Sequence, residues 1–590
     1  PRHTRSAPLR WGAAIALTAL AATSPAYASD QTTVKLIELL VKNGVLSRTQ
    51  ATALLHEAQS EAGTPAHHKR APTTVVSTTP PANPSGGDEN GPAVHVTYVP
   101  PLVRDQIAAE VKQQVMQEAQ DDGWADQYGA ADWTRRIKVT GDIRLRSESA
   151  YFPRDNYGNF LNFNSINSTS NGYDQNALST GALPPVLNTT EDRYLPRIRA
   201  RINVEGQVAD WIDADVRIAT GNDNSPVSTN QTLGQFGAFS KYSLWIDLAY
   251  LRARPTDWLT ILAGRSYNPF WTSNLLFYDD LSFDGVSAQI THAITRSTTG
   301  FINAGAFPVF NNAFNFGTLN NTTEQQPSSN AYLLAAQGGI NWKIAKNYDS
   351  RIAVGFFDFL NVEGSESTPC VDPLANGACS SDGTKQPGYE QFGNTLFPIR
   401  DIITTAADNT TYGPGKTPQP EYYGLASRFG VLDVHGQLRF LKYSPVNVTL
   451  GADFVDNLAF NRTAIVTRTS SGFTGPINNL SAQNSAGNQV FSGGNTAYDV
   501  SLAVGNDDLN RLWAWNASVA YKYIQTDALL DSIADPNFHL GGTNAKGYIV
   551  NANLGLARNT YLSSTWYSSS QVSGPNYAVD VLFVDLNARF

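Results

Sequence analysis

The sequence predicts an all-β fold, a transmembrane antiparallel β-barrel of about sixteen strands preceded by a small helical periplasmic segment. Three observations point there. From 137 to 590 the chain reads as successive segments of two-residue period, most of about the 9 to 11 residues that a tilted strand needs to cross a hydrocarbon layer. The links between them alternate between short and long, as turns and loops do at the two rims of a membrane barrel. No stretch approaches the roughly 18 consecutive apolar residues of a membrane helix, so a spanning chain must satisfy its backbone hydrogen bonds in a closed sheet.

In chain order, residues 1–28 have the pattern of a cleaved secretory signal. Arg2, Arg5 and Arg10 supply positive charge, an apolar run follows from Trp11 to Ala22, and Ala26-Tyr27-Ala28 is a small-residue cleavage site. Residues 29–62 change to a helical period. One apolar-rich helix covers Val34 to Val41 and stops at Asn43-Gly44. A second starts at Ser47 with Gln50 three residues on, a capping-box pattern, and buries Ala51, Leu54, Leu55 and Ala58. Residues 63–101, rich in Pro and Thr, read as a linker. Residues 102–136 resume as a helix with Val103, Ile107, Val111 and Val115 four apart. This seam suits either another chain or the mouth of the barrel.

The barrel occupies 137–590. Its first segment sets Ile137, Val139, Gly141, Ile143 and Leu145 on one face and Lys138, Thr140, Asp142, Arg144 and Arg146 on the other. The second alternates Ile198, Ala200, Ile202 and Val204 with Arg197, Arg199, Arg201 and Asn203. A period of two cannot form one stripe on a helix. Later segments fall near 211–220, 243–254, 257–266, 283–292, 298–307, 332–343, 350–360, 430–442, 446–458, 497–505, 511–524, 545–557, 560–570 and 578–590, and those at 257–266 and 497–505 alternate poorly. A soluble β-sandwich also alternates. Against it stand Trp342, Trp513, Tyr521, Tyr523 and Phe590 on the apolar parity near segment ends, where an interfacial girdle belongs.

Links after even-numbered segments are brief and read as periplasmic turns. Those after odd-numbered ones are mostly long and rich in Asn, Gly, Ser, Thr and Pro, and read as extracellular loops. The only two cysteines, Cys370 and Cys379, stand in the longest of these. In an oxidising compartment that spacing reads as a disulfide, and the stretch lacks the further Cys or His that a metal site needs. The net charge is −9, and removal of the signal deepens it, so nucleic acid is not an expected partner.

The last segment runs Leu582, Val584, Leu586, Ala588 and Phe590 outward and Asp585, Asn587 and Arg589 inward. It resembles the carboxy-terminal signature that the barrel assembly machinery reads on outer-membrane proteins, with Phe590 as the assembly signal. The stretch from Ala263 to Trp271, the run from Asp280 to Val286, and the amino-terminal Leu36 to Val41 and Ala53 to Leu55 are similar to a family of putative bacterial porins. The resemblance spans nearly all of the chain after residue 28. It implies an outer-membrane porin, a passive cofactor-free channel for small hydrophilic solutes, in contact with outer-membrane lipids. A homotrimer is implied by the resemblance alone.

A barrel of about sixteen strands leaves an aqueous channel, which something must narrow. The porin resemblance implies that the third extracellular loop, about 266–283, folds inward with Asp279 and Asp280. Arg144, Arg146, Arg197, Arg199 and Arg201 crowd one arc of the inner wall. Opposed to the loop carboxylates they set up a transverse field; alternatively they brace the wall by pairing with Asp142, Glu205, Asp213 and Asp215. The inward basic and acidic candidates nearly balance, so strong anion selectivity is not expected.

Three rivals remain. A hydrolase needs a His with a Ser and an orienting carboxylate, and His292, His435 and His539 show no such pairing in sequence, so no catalytic residue is assigned. A substrate-specific channel, for sugars or anions, is open, with Trp245, Phe270, Trp271 and Phe277 as a stacking track. A structural or adhesive barrel accounts for the long loops.

Overall fold

The computed structural model describes residues 136–590 apart from 169–172, 175–182, 223–224, 313–322, 372–378, 380–384, 416, 418, 471–472 and 482–488. The expected signal, helical hairpin, linker and, save its last residue, connecting helix lie outside the described residues.

Sixteen antiparallel strands form a closed barrel. They are β1 (Ile137–Tyr151), β2 (Arg193–Ala209), β3 (Ile212–Ala219), β4 (Trp245–Thr256), β5 (Leu259–Tyr267), β6 (Ser282–Ala293), β7 (Thr298–Phe310) and β8 (Ala331–Ala345). The second half comprises β9 (Tyr348–Leu360), β10 (Phe429–Phe440), β11 (Val446–Asn457), β12 (Thr496–Asn506), β13 (Trp515–Ile524), β14 (Ala545–Ala557), β15 (Thr560–Gln571) and β16 (Ala578–Arg589). Each pairs with its neighbours in sequence, and β1 pairs with β16 from Asp142↔Arg589 to Tyr151↔Asp580, which closes the ring. A closed ring leaves no unpaired edge, the condition for a sheet in lipid.

The burial pattern is inverted relative to a soluble protein. Arg144 and Arg146 are each 8% exposed, whereas Ile143 and Leu145, between and beside them, are 43% and 47% exposed. Charged side chains face the lumen and apolar ones face outward, which excludes the sandwich and explains why an amphipathic two-residue period coexists with a polar composition.

The turns at one rim are short. The loops at the other are L1 (152–192), L2 (220–244), L3 (268–281), L4 (311–330), L5 (361–428), L6 (458–495), L7 (525–544) and L8 (572–577). Two details differ from the sequence-based expectation. The turn before β13 runs over 507–514 and holds Trp513 at φ +65°, so this ring stands in a turn and not at a strand end. In β4, Asp247 is an extra residue opposite Arg217 and Ile218. Such a bulge reverses the inward parity of the residues beyond it, and Arg252 consequently faces the lumen.

The lumen is not polar throughout. Near the long-loop rim an apolar cluster joins Phe283, Phe307, Phe357, Phe429, Val455 and Phe583 of the wall to Leu275, Leu276 and Phe277 of L3 and Leu529, Leu530 and Phe538 of L7. The inward row there is apolar because it meets folded loops instead of water. L5 carries its own small ladders, Leu396–Pro398 on Tyr423–Leu425 and Cys370–Val371 on Ile402–Ile403. Cys370 and Cys379 are disulfide-bonded, with Cα atoms 5.9 Å apart.

Candidate functional site

L3 folds against the inner wall. The Asn268 side chain accepts from Phe270 N at 2.9 Å, and Asn274 accepts from Asp279 N at 3.0 Å, so the loop closes on itself locally. Phe270 and Phe277 each meet the Phe357 ring edge-on, with centroids 5.1 Å apart. Polar bonds then pin the backbone to the wall. Gln337 of β8 accepts from Trp271 N and donates to Trp271 O, both at 2.8 Å, and Gln289 of β6 donates to Pro269 O at 2.8 Å. Ser273 donates to Asp453 of β11, and Lys522 of β13 donates to Asn274 O at 3.0 Å. L3 therefore reaches from its own strands to the far wall.

Its other end meets the arginines. Asp280 is buried, and Arg201 Nη1 lies 2.8 Å and Arg199 Nη1 3.2 Å from its two carboxylate oxygens. The same guanidiniums hold Asp142 of β1, through Arg201 Nε at 2.7 Å and Arg199 Nη2 at 2.9 Å. Burial works against ionisation of Asp280, but Arg199 and Arg201, with Arg144 behind them, outweigh it and hold the carboxyl below its usual range. Two arginines on one face of β2 thus share two carboxylates, one from the wall and one from the loop.

The remaining predicted residues have separate partners. Arg146 is bidentate to Asp585, its cross-strand neighbour on β16, with both N···O distances 2.8 Å, and its guanidinium lies 3.9 Å from the centre of the Phe583 ring. Arg197 pairs with Glu148 at 3.0 Å. Arg144 donates to Asn230 of L2 at 2.5 Å. Asp279 does not join the arginines; Asn274 donates to it at 3.1 Å, and it stays exposed. Of the expected bracing carboxylates only Asp142 pairs with the arginines of β1 and β2. Glu205 and Asp213 pair with Arg252 of β4, and Asp215 accepts from Asn203 at 3.2 Å. The β4 bulge concealed Arg252, whereas Glu148 was legible by extending the parity of Arg144 and Arg146 one step.

L7 also enters the lumen, which no residue pattern in its sequence announced. Asn537 accepts from Arg146 Nη1 at 3.3 Å and donates to the Tyr278 hydroxyl of L3 at 2.9 Å. Asp535 lies 3.4 Å from Lys522 Nζ. L5 closes over L7: Asn394 donates to Thr526 O and Leu529 O, and Asp527 accepts from both the amide and the hydroxyl of Thr395.

The tertiary structure does bring a histidine to a serine, which sequence could not pair. His539 Nδ1 of L7 lies 3.0 Å from Ser569 Oγ of β15, but Ser569 donates to Val579 O, and His539 Nε2 has no hydrogen-bond partner. Burial pushes the imidazole down to about 3. A neutral, buried ring with no carboxylate behind it is a poor general base. Among the described residues no three His, Cys, Asp or Glu side chains gather as a metal site.

The family described as putative porin matches residues 30–590. Among solved structures, the outer membrane channel DcaP of Acinetobacter baumannii is similar at a TM-score of 0.34 and 10% identity, over 77% of this chain and 97% of that one. OprB of Pseudomonas putida is similar at 0.39 and 8%, over 78% and 95%, and OmpF of Salmonella typhi at 0.32 and 8%, over 77% and 97%. No curated protein matches. With the closed barrel in view, the match across residues 30–590 is decisive: the chain belongs to the putative porin family, and it is an outer-membrane channel for the diffusion of solutes.

Proposed function

We propose that the chain is a passive, non-catalytic pore for small hydrophilic solutes, narrowed where L3 meets the arginines of β1 and β2. The observation that carries this reading is Asp280, a loop carboxylate seated on Arg199 and Arg201 of the wall. A loop fixed by buried ion pairs holds a constant cross-section, and the unequal distribution of charge around it orients polar solutes while nonpolar ones must displace ordered water. Arg144, Arg146 and Arg197 complete the arc. Residues 1–28 serve as the export signal, Phe590 as the assembly signal, and a homotrimer is the oligomeric form in this reading.

The test is single-channel recording of purified protein in planar bilayers, with β-rich circular dichroism as the check on folding. Open, weakly selective steps are expected, and folded protein that never conducts sinks the channel reading. A second reading, a substrate-specific channel, is favoured by the apolar packing of L3 and L7 at the long-loop end of the lumen. Conductance that saturates with one solute and not with others of equal size distinguishes it.

A further inference from the structure

A cavity of about 250 Å³ lies within the loop assembly, walled by parts of L1, L5, L6, L7 and L8. Its lining includes Tyr157, Phe160, Phe163, Phe392, Glu390 and Asp531, and no Lys, Arg or His among the described residues. The rings form a rigid frame: Phe160 meets Tyr157 edge-on at 5.1 Å and Phe392 at 5.5 Å.

The two acids are unusually placed. Glu390 and Asp531 are each 4% exposed. The Glu390 Oε2 atom accepts from Asn167 Nδ2 at 2.8 Å, whereas Oε1 has no hydrogen-bond partner. The Asp531 backbone is fixed by side chains of L5: its N–H donates to Asn394 Oδ1 at 2.8 Å, and its carbonyl accepts from Gln391 Nε2 at 2.6 Å. Burial, and after it the charge of Asp531, pushes the Glu390 carboxyl well above its ordinary range, and burial pushes Asp531 up to about 7. A buried, unfilled acceptor that shares its cavity with a second carboxyl, with no cation among the described lining residues, is complementary to a donor that carries positive charge. The surrounding rings suit the apolar body and the charge of such a donor. At about 30 Å³ per water, the space corresponds to roughly eight waters, enough for one ring with a short arm.

We propose that this cavity binds a small organic ammonium ion, with Glu390 and Asp531 as its counter-charge and Phe160, Phe163 and Phe392 around its apolar part. The site is separate from the arginine cluster, and its occupancy does not require conduction, so it stands or falls independently of the pore reading. Where the ion enters, the proton that Glu390 holds leaves to solvent.

Isothermal titration calorimetry on the full-length folded protein in detergent tests this with benzylammonium, its uncharged analogue benzyl alcohol, and glucose. Benzylammonium should bind at least about tenfold more tightly than benzyl alcohol or glucose. Titrations near pH 6.5 in buffers of different ionisation enthalpy should show net proton release for the cation and none for the neutral probes. Glu390→Gln and Asp531→Asn, each checked for β-rich circular dichroism, should weaken the cation by about tenfold or more and leave benzyl alcohol unchanged. The central comparison uses the unaltered protein, so a variant that misfolds does not remove it. Absence of benzylammonium binding at millimolar concentration, or equal binding of the uncharged probes, overturns the proposal.

Discussion

Gly141 and Phe590 exchange both backbone hydrogen bonds, Gly141 N to Phe590 O at 2.9 Å and Phe590 N to Gly141 O at 3.0 Å. The last residue of this chain thus completes the seam between β1 and β16. A Cβ on Gly141 would collide with the Phe590 ring and the Arg201 carbonyl, so the glycine is the seat of the ring on the outward face.

Deleting Phe590 removes two ladder bonds, each worth about 1 kcal/mol net in water and more where lipid offers no replacement, together with the proposed assembly signal. Outer-membrane levels of the deletion variant should fall sharply. Gly141→Val keeps the terminal residue but unseats its ring, and should lower thermal stability with a smaller loss of assembly. If both variants assemble and melt like the parent, the seam has neither role.

Asp280→Asn leaves Arg199 and Arg201 with Asp142 as their only ion-pair partner among the described residues. Breaking a buried pair by removing one member costs about 3 kcal/mol or more, so the melting temperature in detergent should drop, and the reversal potential in a salt gradient should move toward anions. Neutralising Arg199 and Arg201 together should move it toward cations. Both shifts should shrink between 0.1 M and 1 M salt, as the screening length falls from about 10 Å to about 3 Å. Stability loss with an unmoved reversal potential would assign these residues to bracing alone.

Gly542 sits at φ +93°, and a Cβ there would strike the Phe392 carbonyl oxygen, the acceptor of the 2.7 Å bond from Thr543 N. A non-glycine residue in this conformation costs of order 1–3 kcal/mol before the clash is counted. Gly542→Ala should therefore loosen L7 from L5 and expose 525–544 to proteolysis in otherwise folded barrels, with noisier open-channel current. A digestion pattern identical to the parent's would show that the contact does not hold the loop.

Docking of L7 should weaken as pH rises. Burial raises Asp527 to about 6 and Asp531 to about 7, and raises Glu390 of L5, which lines the same cavity as Asp531, well above the usual range. For an acid raised on folding, the native state keeps its proton after the unfolded chain has lost it, so the contribution is full below about pH 4 and lost by about pH 7. Hydrogen exchange of 526–540, corrected for the intrinsic rate, should show more protection at pH 5 than at pH 7.5, and Asp531→Asn should flatten the difference.

Much of the fold was legible because a lipid-spanning strand writes its environment into alternate residues. Inward Arg144 and Arg146 against outward Ile143 and Leu145 needed no tertiary information, and neither did the closing rhythm of short and long links. β5 and β12 were harder to read because their alternation is weak, yet both are strands: register with neighbours, not their own pattern, holds them in the sheet. The inward path of L3 came from resemblance to a family, while the pairing of Asp280 with Arg199 and Arg201 came only from the structure.

By itself the sequence determined the strand number, the inside-out parity and the disulfide pair, since each depends on neighbours within a few residues or on composition. Tertiary structure alone decided which carboxylate each arginine holds, that the β4 bulge turns Arg252 inward, that L7 fills the lumen beside L3, and that Glu390 and Asp531 share one cavity. These join segments far apart in the chain. A contact between residues hundreds of positions apart is specified by how the closed ring brings them together, and no local period records it.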